Sequence, residues 1–234
     1  MPLYRLGAVA DGFPPPEGAL DEPNGLLAVG GDLSPARLLA AYRQGIFPWF
    51  SAGDPVCWWS PDPRCVFLTA DYRPARSLVK TLRKGSFQFS VNRCFTNVMQ
   101  ACAAPRPYAD STWIQPAFIA SYSELHAAGH AHSIEVWDAG GDLVGGLYGI
   151  SLGRAFFGES MFSRQTDASK AAFCYLMQLC RHWQIPLVDG QVENPHLMRQ
   201  GAVLLPRADF LQRLAELVDL PSPDWHRPPP FGTP

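Results

Sequence analysis

The sequence has little net charge, no long apolar run and no paired-cysteine motif, and each absence excludes a class of protein. The formal net charge is −2 over 234 residues, so no strong overall field attracts nucleic acid. No apolar run approaches the ~20 residues of a membrane span, and no apolar signal segment follows the first charged residue. Six cysteines at irregular spacings favour reduced core thiols over disulfides or zinc ligands. We therefore expect a soluble, cytoplasmic protein.

Acidic residues are also absent from one stretch of the chain. Residues 72–109 contain seven Lys and Arg side chains and no Asp or Glu. Four of these cations share one face of a predicted helix because of their spacing: Arg76, Lys80, Arg83 and Lys84. A run of charge is commonly no more than a solvated face. The lack of interleaved acids favours instead a surface that binds a polyanion such as RNA.

Apolar periodicity and the positions of proline and glycine predict the secondary structure. Residues 11–31 are rich in Gly and Pro and predict turns, and the aromatic segments 47–50 and 58–63 predict two more. Helices are predicted at 35–44, 75–84, 94–103, 115–128, 168–183, 195–200 and 207–217. Strands are predicted at 26–29, 65–68, 87–91, 132–138, 143–152, 154–162 and 187–191.

The order of these elements indicates the fold. Three sequential antiparallel strands, a helix and one more strand form the core order of the N-acetyltransferase fold. We predict the α+β class, with a mixed, mainly antiparallel sheet flanked by helices. The predicted boundary divides a small N-terminal domain, residues 1–63, from a larger acetyltransferase-like domain, residues 64–234.

Three polar side chains inside predicted apolar strands are the candidate site residues. Asp189 and Gln191 lie two apart on one strand, which predicts that they face the same side. Glu159 lies in another apolar strand. Each residue also has a purely structural interpretation. Asp189 would cap a nearby loop, Gln191 would face solvent, and Glu159 would form an ion pair in the core. Because an isolated polar group in a buried strand is costly, the three together predict a polar cluster in an apolar cleft.

Two tryptophans lie in turn-rich segments. Trp49 and Trp113 are each surrounded by turn-forming residues, and most tryptophans in such positions anchor the core. The alternative is a stacking platform for a nucleobase, worth roughly 1–3 kcal/mol per base.

Three closely spaced histidines are a candidate metal site, but their sequence context disfavours it. His126 and His130 have helical spacing, and His132 follows two residues later. Gly129 breaks the helix between them, and no acid stands at an activating spacing. We therefore predict no metal ligands.

Longer motifs carry a resemblance to a known family. They are residues 22–33 (EPNGLLAVGGDL), 44–51 (QGIFPWFS), 58–64 (WWSPDPR), 129–137 (GHAHSIEVW) and 158–164 (GESMFSR). Together they resemble the bacterial leucyl/phenylalanyl-tRNA–protein transferases over nearly the whole chain.

The resemblance implies an activity and its partners. Such enzymes move Leu or Phe, and less readily Met, from aminoacyl-tRNA to a protein with N-terminal Arg or Lys. The product is marked for degradation by the N-end rule. The resemblance also implies an acetyltransferase-like fold and no cofactor. Separately, we expect no membrane association and a monomer.

Three rival functions are weighed against this one. Residues 163–168 contain no glycine-rich loop for a pyrophosphate, which disfavours an acyl-CoA-dependent acetyltransferase. A non-catalytic tRNA-binding module would bind tRNA whether or not it is charged. A His-based metal hydrolase would require a bound metal ion.

The resemblance also assigns roles by position. Asp189 and Gln191 match the catalytic pair. As a hypothesis of mechanism that goes beyond the resemblance, Gln191 would orient the attacking amine, and Asp189 would hold either Gln191 or that amine. Glu159 matches a polar residue at the aminoacyl end. Trp49 and Trp113 match contacts to the 3′-terminal adenosine, and the basic helix matches the tRNA-binding face. Six residues match the pocket for the Leu or Phe side chain: Leu147, Phe156, Met161, Leu176, Cys180 and Val188. Leu and Cys at 176 and 180 depart from the aromatic residues expected there, which predicts a wider pocket.

Overall fold

The computed structural model describes residues 3–7, 12–105 and 112–234. Its N-terminal part contains a small sheet in the order β1-β2-β4-β3. The strands are β1 (Tyr4–Leu6), β2 (Leu26–Gly30), β3 (Phe47–Pro48) and β4 (Cys57–Trp59). The predictions of turns at 47–50 and 58–63 are wrong in part, because β3 and β4 pair with each other. These strands are too short for a periodic signal, and burial of aromatic side chains such as Trp58 stabilises them.

Helix α1 (Pro35–Arg43) follows β2, and Arg43 at its C-terminal end pairs with Asp219, two residues beyond the last helix, at 2.5 Å. It ends before Gly45, which has φ +71° and so suits a left-handed helix end. A Cβ at this position would lie 2.6 Å from Leu211 Cδ2 and 2.8 Å from Phe210 Cε1. Glycine therefore permits both the turn and the close approach of the two helices.

Within the described ranges, seven strands form the second sheet, in the order β11-β5-β10-β9-β8-β7-β6. They are β5 (Arg64–Leu68), β6 (Gln88–Val91), β7 (Ala131–Trp137), β8 (Leu143–Leu152), β9 (Ala155–Ser163), β10 (Leu187–Gln191) and β11 (Val203–Leu205). Strands β9 and β10 pair in parallel, and the other neighbours pair antiparallel.

Helices cover both faces of this sheet. They are α2 (Arg76–Arg83), α3 (Phe95–Ala103), α4 (Pro116–Ala127), α5 (Ala168–His182), α6 (Pro195–Arg199) and α7 (Arg207–Leu217). One apolar cluster joins the sheet to α1, α3, α4, α7 and the small sheet. A second apolar cluster joins it to α2 and α5. Neighbouring residues such as Phe156 and Phe157 enter opposite clusters, as strand alternation requires.

The coarse fold prediction is confirmed as a mixed α and β structure with an N-terminal domain. The predicted helices and strands are present with closely matching bounds, whereas β1, β3, β4 and β11 were missed. The large sheet begins at Arg64, but the division at residue 63 stays a prediction. Among the described residues, no helix is both long and apolar enough to cross a membrane.

Candidate active site

The site lies where two parallel strands diverge. Residues 155–157 of β9 pair with 187–189 of β10, and the pairing stops there although both strands continue. The pairing of β9 with β8 shifts register beside Glu159. The pairing of β10 with β5 shifts between Asp189 and Gln191. Because bulges bend strands and re-aim side chains, the polar groups here bond to one another across the gap.

Asp189 is held by a partner that was not predicted from the sequence. Its buried carboxylate accepts hydrogen bonds from Arg64 Nε at 2.9 Å and Nη2 at 2.6 Å, a two-point contact that fixes orientation. The Arg64 guanidinium lies 4.8 Å from the Phe47 ring centroid and 4.6 Å from that of Phe210. The ion pair therefore joins β10 to the small sheet and to α7. Arg64 directly precedes the apolar run 65–68. A charged residue at the start of a buried strand is the sequence feature that could have identified it.

Gln191 is oriented at both its backbone and its side chain. Its backbone has φ +64°, and its N–H donates to Asp189 Oδ1 at 2.8 Å. The side-chain Nε2 donates to Glu159 Oε1 at 2.8 Å. With the amide nitrogen committed to Glu159, the amide oxygen is the end that can accept a hydrogen bond from a ligand. The predicted juxtaposition of the three polar residues is thus confirmed, through bulges rather than regular strand alternation.

Two tyrosines surround Glu159. Tyr42 donates to Glu159 Oε1 at 2.7 Å, Tyr122 donates to Oε2 at 3.1 Å, and the two hydroxyls lie 2.5 Å apart. Burial raises the pKa of Glu159 to about 7, and the tyrosine hydrogen bonds oppose that rise. Burial also raises the pKa of both tyrosines well above the ordinary value, and the nearby Glu159 charge adds to it. Both hydroxyls therefore remain protonated donors. Neither tyrosine was predicted from the sequence.

A cleft of about 980 Å³ opens onto this network. The predicted site residues that line it are Trp49, Trp113, Leu147, Glu159, Met161, Leu176, Val188, Asp189 and Gln191. Phe156 and Cys180 are buried and lie outside its lining, so their assignment to the pocket stays a prediction. Phe67 and Phe173 also line the cleft, with ring centroids 4.5 Å apart. They supply aromatic surface that was not predicted from the sequence.

The two tryptophans differ in exposure. Trp49 is 44% exposed, and its carbonyl accepts a hydrogen bond from Trp59 Nε1 at 2.6 Å. Trp113 is half-buried and meets the Phe118 ring edge-on at 5.2 Å. Trp49 therefore offers the more open aromatic face at the mouth of the cleft.

The basic helix is α2. Its Leu78 and Leu82 pack inward, whereas all four predicted cations are exposed, with Lys84 just beyond the last turn. Thr81 Oγ1 donates to Asp167 Oδ2 at 3.1 Å, which fixes α2 beside the N-terminus of α5. The predicted basic face is thus accessible to a large ligand.

Two of the three histidines stack on different aromatic rings. His126 stacks on Phe95 at 4.3 Å, and His132 stacks on Trp225 at 4.3 Å. Burial lowers the pKa of His132 to about 3, so it is neutral near pH 7. In the ranges that the structure describes, no group of three or more His, Cys, Asp and Glu side chains could hold a metal ion.

Comparison with known proteins defines the class. Residues 66–215 match the model of the leucyl/phenylalanyl-tRNA protein transferase family, and residues 31–62 match that of its N-terminal domain. The chain is 56% identical to the leucyl/phenylalanyl-tRNA–protein transferase of Shewanella denitrificans, over 91% of this chain and 90% of the relative. The protein of that name from Tolumonas auensis is 57% identical over 91% and 92%. This protein is therefore a transferase enzyme. It belongs to the leucyl/phenylalanyl-tRNA protein transferase family.

The similarity to solved structures is distant. The structure of L-PGS from Bacillus licheniformis aligns with 72% of this chain and 53% of that chain, with a TM-score of 0.40 and 11% identity. A likeness at that level supports no argument about fold or function.

Proposed function

We propose that this enzyme transfers Leu or Phe, and less readily Met, from aminoacyl-tRNA to the N-terminal Arg or Lys of acceptor proteins. The acceptors would then be marked for N-end rule degradation, and the cytoplasmic, monomeric state expected from the sequence is part of the proposal. The observation that carries it is the Gln191 amide, held by Asp189 and Glu159 beside an apolar cleft. Family membership supports the donor.

The apolar cleft accounts for the choice of amino acid. Its lining includes Leu147, Met161, Leu176 and Val188, which would surround the side chain of the transferred residue. One methylene is worth only about 1–3 kcal/mol in such a pocket, so discrimination among apolar residues will be modest. Trp49 and Trp113 would flank the terminal adenosine, with the exposed Trp49 face as the stacking surface.

The reaction is aminolysis of an ester. The acceptor α-amine nitrogen attacks the ester carbonyl carbon, the new C–N bond forms, and the C–O bond to the ribose breaks. The proton released by the amine goes to the departing ribose oxygen. Because an α-amino group has a pKa of about 8 and the ester is already activated, positioning is the main requirement.

The polar network provides that positioning. The Gln191 amide oxygen accepts a hydrogen bond from the amine and directs its lone pair at the carbonyl. A neutral amide is a weak base, so this role is orientation rather than proton abstraction. Asp189 acts through Gln191, because its oxygens already accept bonds from Arg64 and from the Gln191 N–H. Of the two roles expected for Asp189, holding Gln191 is therefore the one we propose.

The order of elements supports the acetyltransferase-like part of the proposal. Strands β7, β8 and β9, helix α5 and strand β10 follow the predicted core order, and the parallel pair diverges at the site. An acyl-CoA-dependent reaction is the rival on this fold. Binding of acetyl-CoA by the purified protein would support that rival.

Replacement of Gln191 tests the proposal. We expect Gln191→Ala to reduce transfer from leucyl-tRNA at least 100-fold, the scale of a lost positioning contact, with little change in aminoacyl-tRNA affinity. Asp189→Asn keeps an acceptor for the Gln191 N–H but removes the charge partner of the buried Arg64 guanidinium, so it should lower both transfer and stability. Unchanged transfer by a folded Gln191→Ala protein would contradict the assignment.

A further inference from the structure

A second, smaller groove adjoins the main cleft. It encloses about 290 Å³, and its lining includes Trp49, Trp59, Pro61, Pro63, Val192 and Glu193. We call it the outer groove. It shares Phe47, Trp49 and Val192 with the main cleft, so the two spaces meet at these side chains.

Two residues of the outer groove directly follow the proposed catalytic Gln191 in sequence. Val192 and Glu193 directly follow Gln191, and Val192 lines both spaces. Two residues of extended chain span about 7 Å. An acceptor whose amine meets Gln191 therefore reaches Glu193 with its third residue if it runs along the same path.

The chemistry of the outer groove disfavours RNA and fits a polypeptide. Its lining contains a carboxylate and no Lys or Arg among the described residues, whereas RNA backbones need cations for affinity. The Trp49 and Trp59 rings lie 5.8 Å apart, and Val192 is 40% exposed. Trp59, Pro61 and Pro63 offer apolar surface to an extended chain, Trp49 being left to the proposed adenosine contact, and an indole with a carboxylate attracts cations.

The charge distribution agrees with this division. Residues 1–63 contain seven Asp and Glu against three Arg, whereas residues 72–109 contain seven cations and no acid. The acidic part suits an acceptor that carries N-terminal Arg or Lys, and the exposed basic α2 suits tRNA. The Glu193 carboxylate in the outer groove and the exposed cations of α2 therefore present opposite charges to the two proposed substrates.

We propose that the outer groove binds the acceptor chain beyond its N-terminal residue, and that Glu193 favours a cationic over an anionic side chain at the third position. This inference rests on the proposed transfer to N-terminal Arg or Lys. It assigns a part of acceptor selection to residues outside the Asp189, Gln191 and Glu159 network.

A charge exchange tests the proposal. The acceptors are two peptides that differ in their third residue, Arg-Ala-Lys or Arg-Ala-Glu followed by the same neutral sequence, and arginine amide, which has no further residue. The ratio of kcat/KM for the Lys and Glu peptides is measured with leucyl-tRNA. We expect a ratio of about 3–5 for the wild type, as one exposed charge pair allows, and a ratio below one for Glu193→Lys. The matched control is Glu216→Lys, an exposed acid on α7 outside both linings, and it should keep the wild-type ratio.

The outcomes separate this inference from the function on which it rests. Equal rates for both peptides in the wild type, or the wild-type ratio in Glu193→Lys, would overturn the outer groove as an acceptor site. Transfer to arginine amide in that case would leave the proposed function standing. Tighter aminoacyl-tRNA binding by Glu193→Lys, with the peptide ratio unchanged, would assign the groove to RNA and overturn the inference. No transfer to any acceptor would overturn both proposals.

Discussion

At the scale of single residues, the site depends on a buried carboxyl group whose charge is costly. Glu159 is surrounded by Tyr42, Tyr122 and Gln191, all of which donate hydrogen bonds to it. Those bonds favour the ionised form, and burial disfavours it more strongly, so its pKa rises to about 7. The carboxyl therefore titrates near neutral pH while it holds the Gln191 amide.

This shift predicts a pH-dependent stability. The ordinary value is 4.5, so between pH 4.5 and about 7 the folded state keeps a proton that the unfolded chain releases. The free energy of unfolding contributed by Glu159 therefore falls as pH rises through this window and is level above it. We expect the free energy of unfolding of the wild type, measured relative to that of Glu159→Gln, to fall by roughly 3 kcal/mol as pH rises through this window. Urea unfolding at several pH values measures the difference, and a constant value would contradict the assigned pKa.

Residue types could be predicted at this scale, but their partners could not. Asp189, Gln191 and Glu159 were found because each is a polar residue in an apolar run. Arg64 lies 125 positions from Asp189, and no local pattern reports such a pairing. The same is true of Tyr42, which lies 117 positions from Glu159.

At the scale of elements, bulges rather than regular strands build the site. Period-two alternation predicted that Asp189 and Gln191 share a side, whereas the structure changes register between them. A bulge depends on cross-strand packing and leaves little trace in the sequence of its own strand. The sequence shows only the glycines that this packing requires, since Gly149 of β8 pairs with Gly158 of β9 beside the register shift.

These two glycines give a matched test. A Cβ on Gly149 would lie 2.2 Å from the Phe157 carbonyl oxygen and 2.6 Å from the Phe156 ring, whereas one on Gly158 would meet only Asp189 O at 3.4 Å. We expect Gly149→Ala to destabilise the protein by about 1–3 kcal/mol or more through overpacking, and Gly158→Ala to cost much less. Chemical denaturation compares the two variants. An equally small loss of unfolding free energy in both variants would show that the bulge tolerates a side chain at position 149.

At the scale of the whole molecule, the order of the elements predicted a mixed, mainly antiparallel sheet with flanking helices. Strand order, loop paths and the joining of the small sheet to α7 through Arg64 required the structure. The uneven distribution of charge was visible in the sequence. The structure adds that the basic part is an exposed helix surface.

That surface predicts the salt dependence of tRNA binding. Phosphate contacts position RNA without reading its sequence, and each one adds to the slope of log K against log salt. We expect Arg83→Ala combined with Lys84→Ala to weaken aminoacyl-tRNA binding and to reduce the slope by about one to two. Arg213→Ala combined with Arg227→Ala, two exposed cations outside α2, is the control. An unchanged slope in the α2 variant would place the tRNA site elsewhere.

The most direct test of the central claim is transfer of radiolabelled Leu from leucyl-tRNA to two acceptors that differ only in N-terminal Arg or Ala. We predict label on the Arg acceptor alone, because the proposed site takes an N-terminal Arg or Lys side chain while the acceptor amine contacts Gln191. Label on neither acceptor, with tRNA still bound, would contradict the proposed chemistry and favour a tRNA-binding module.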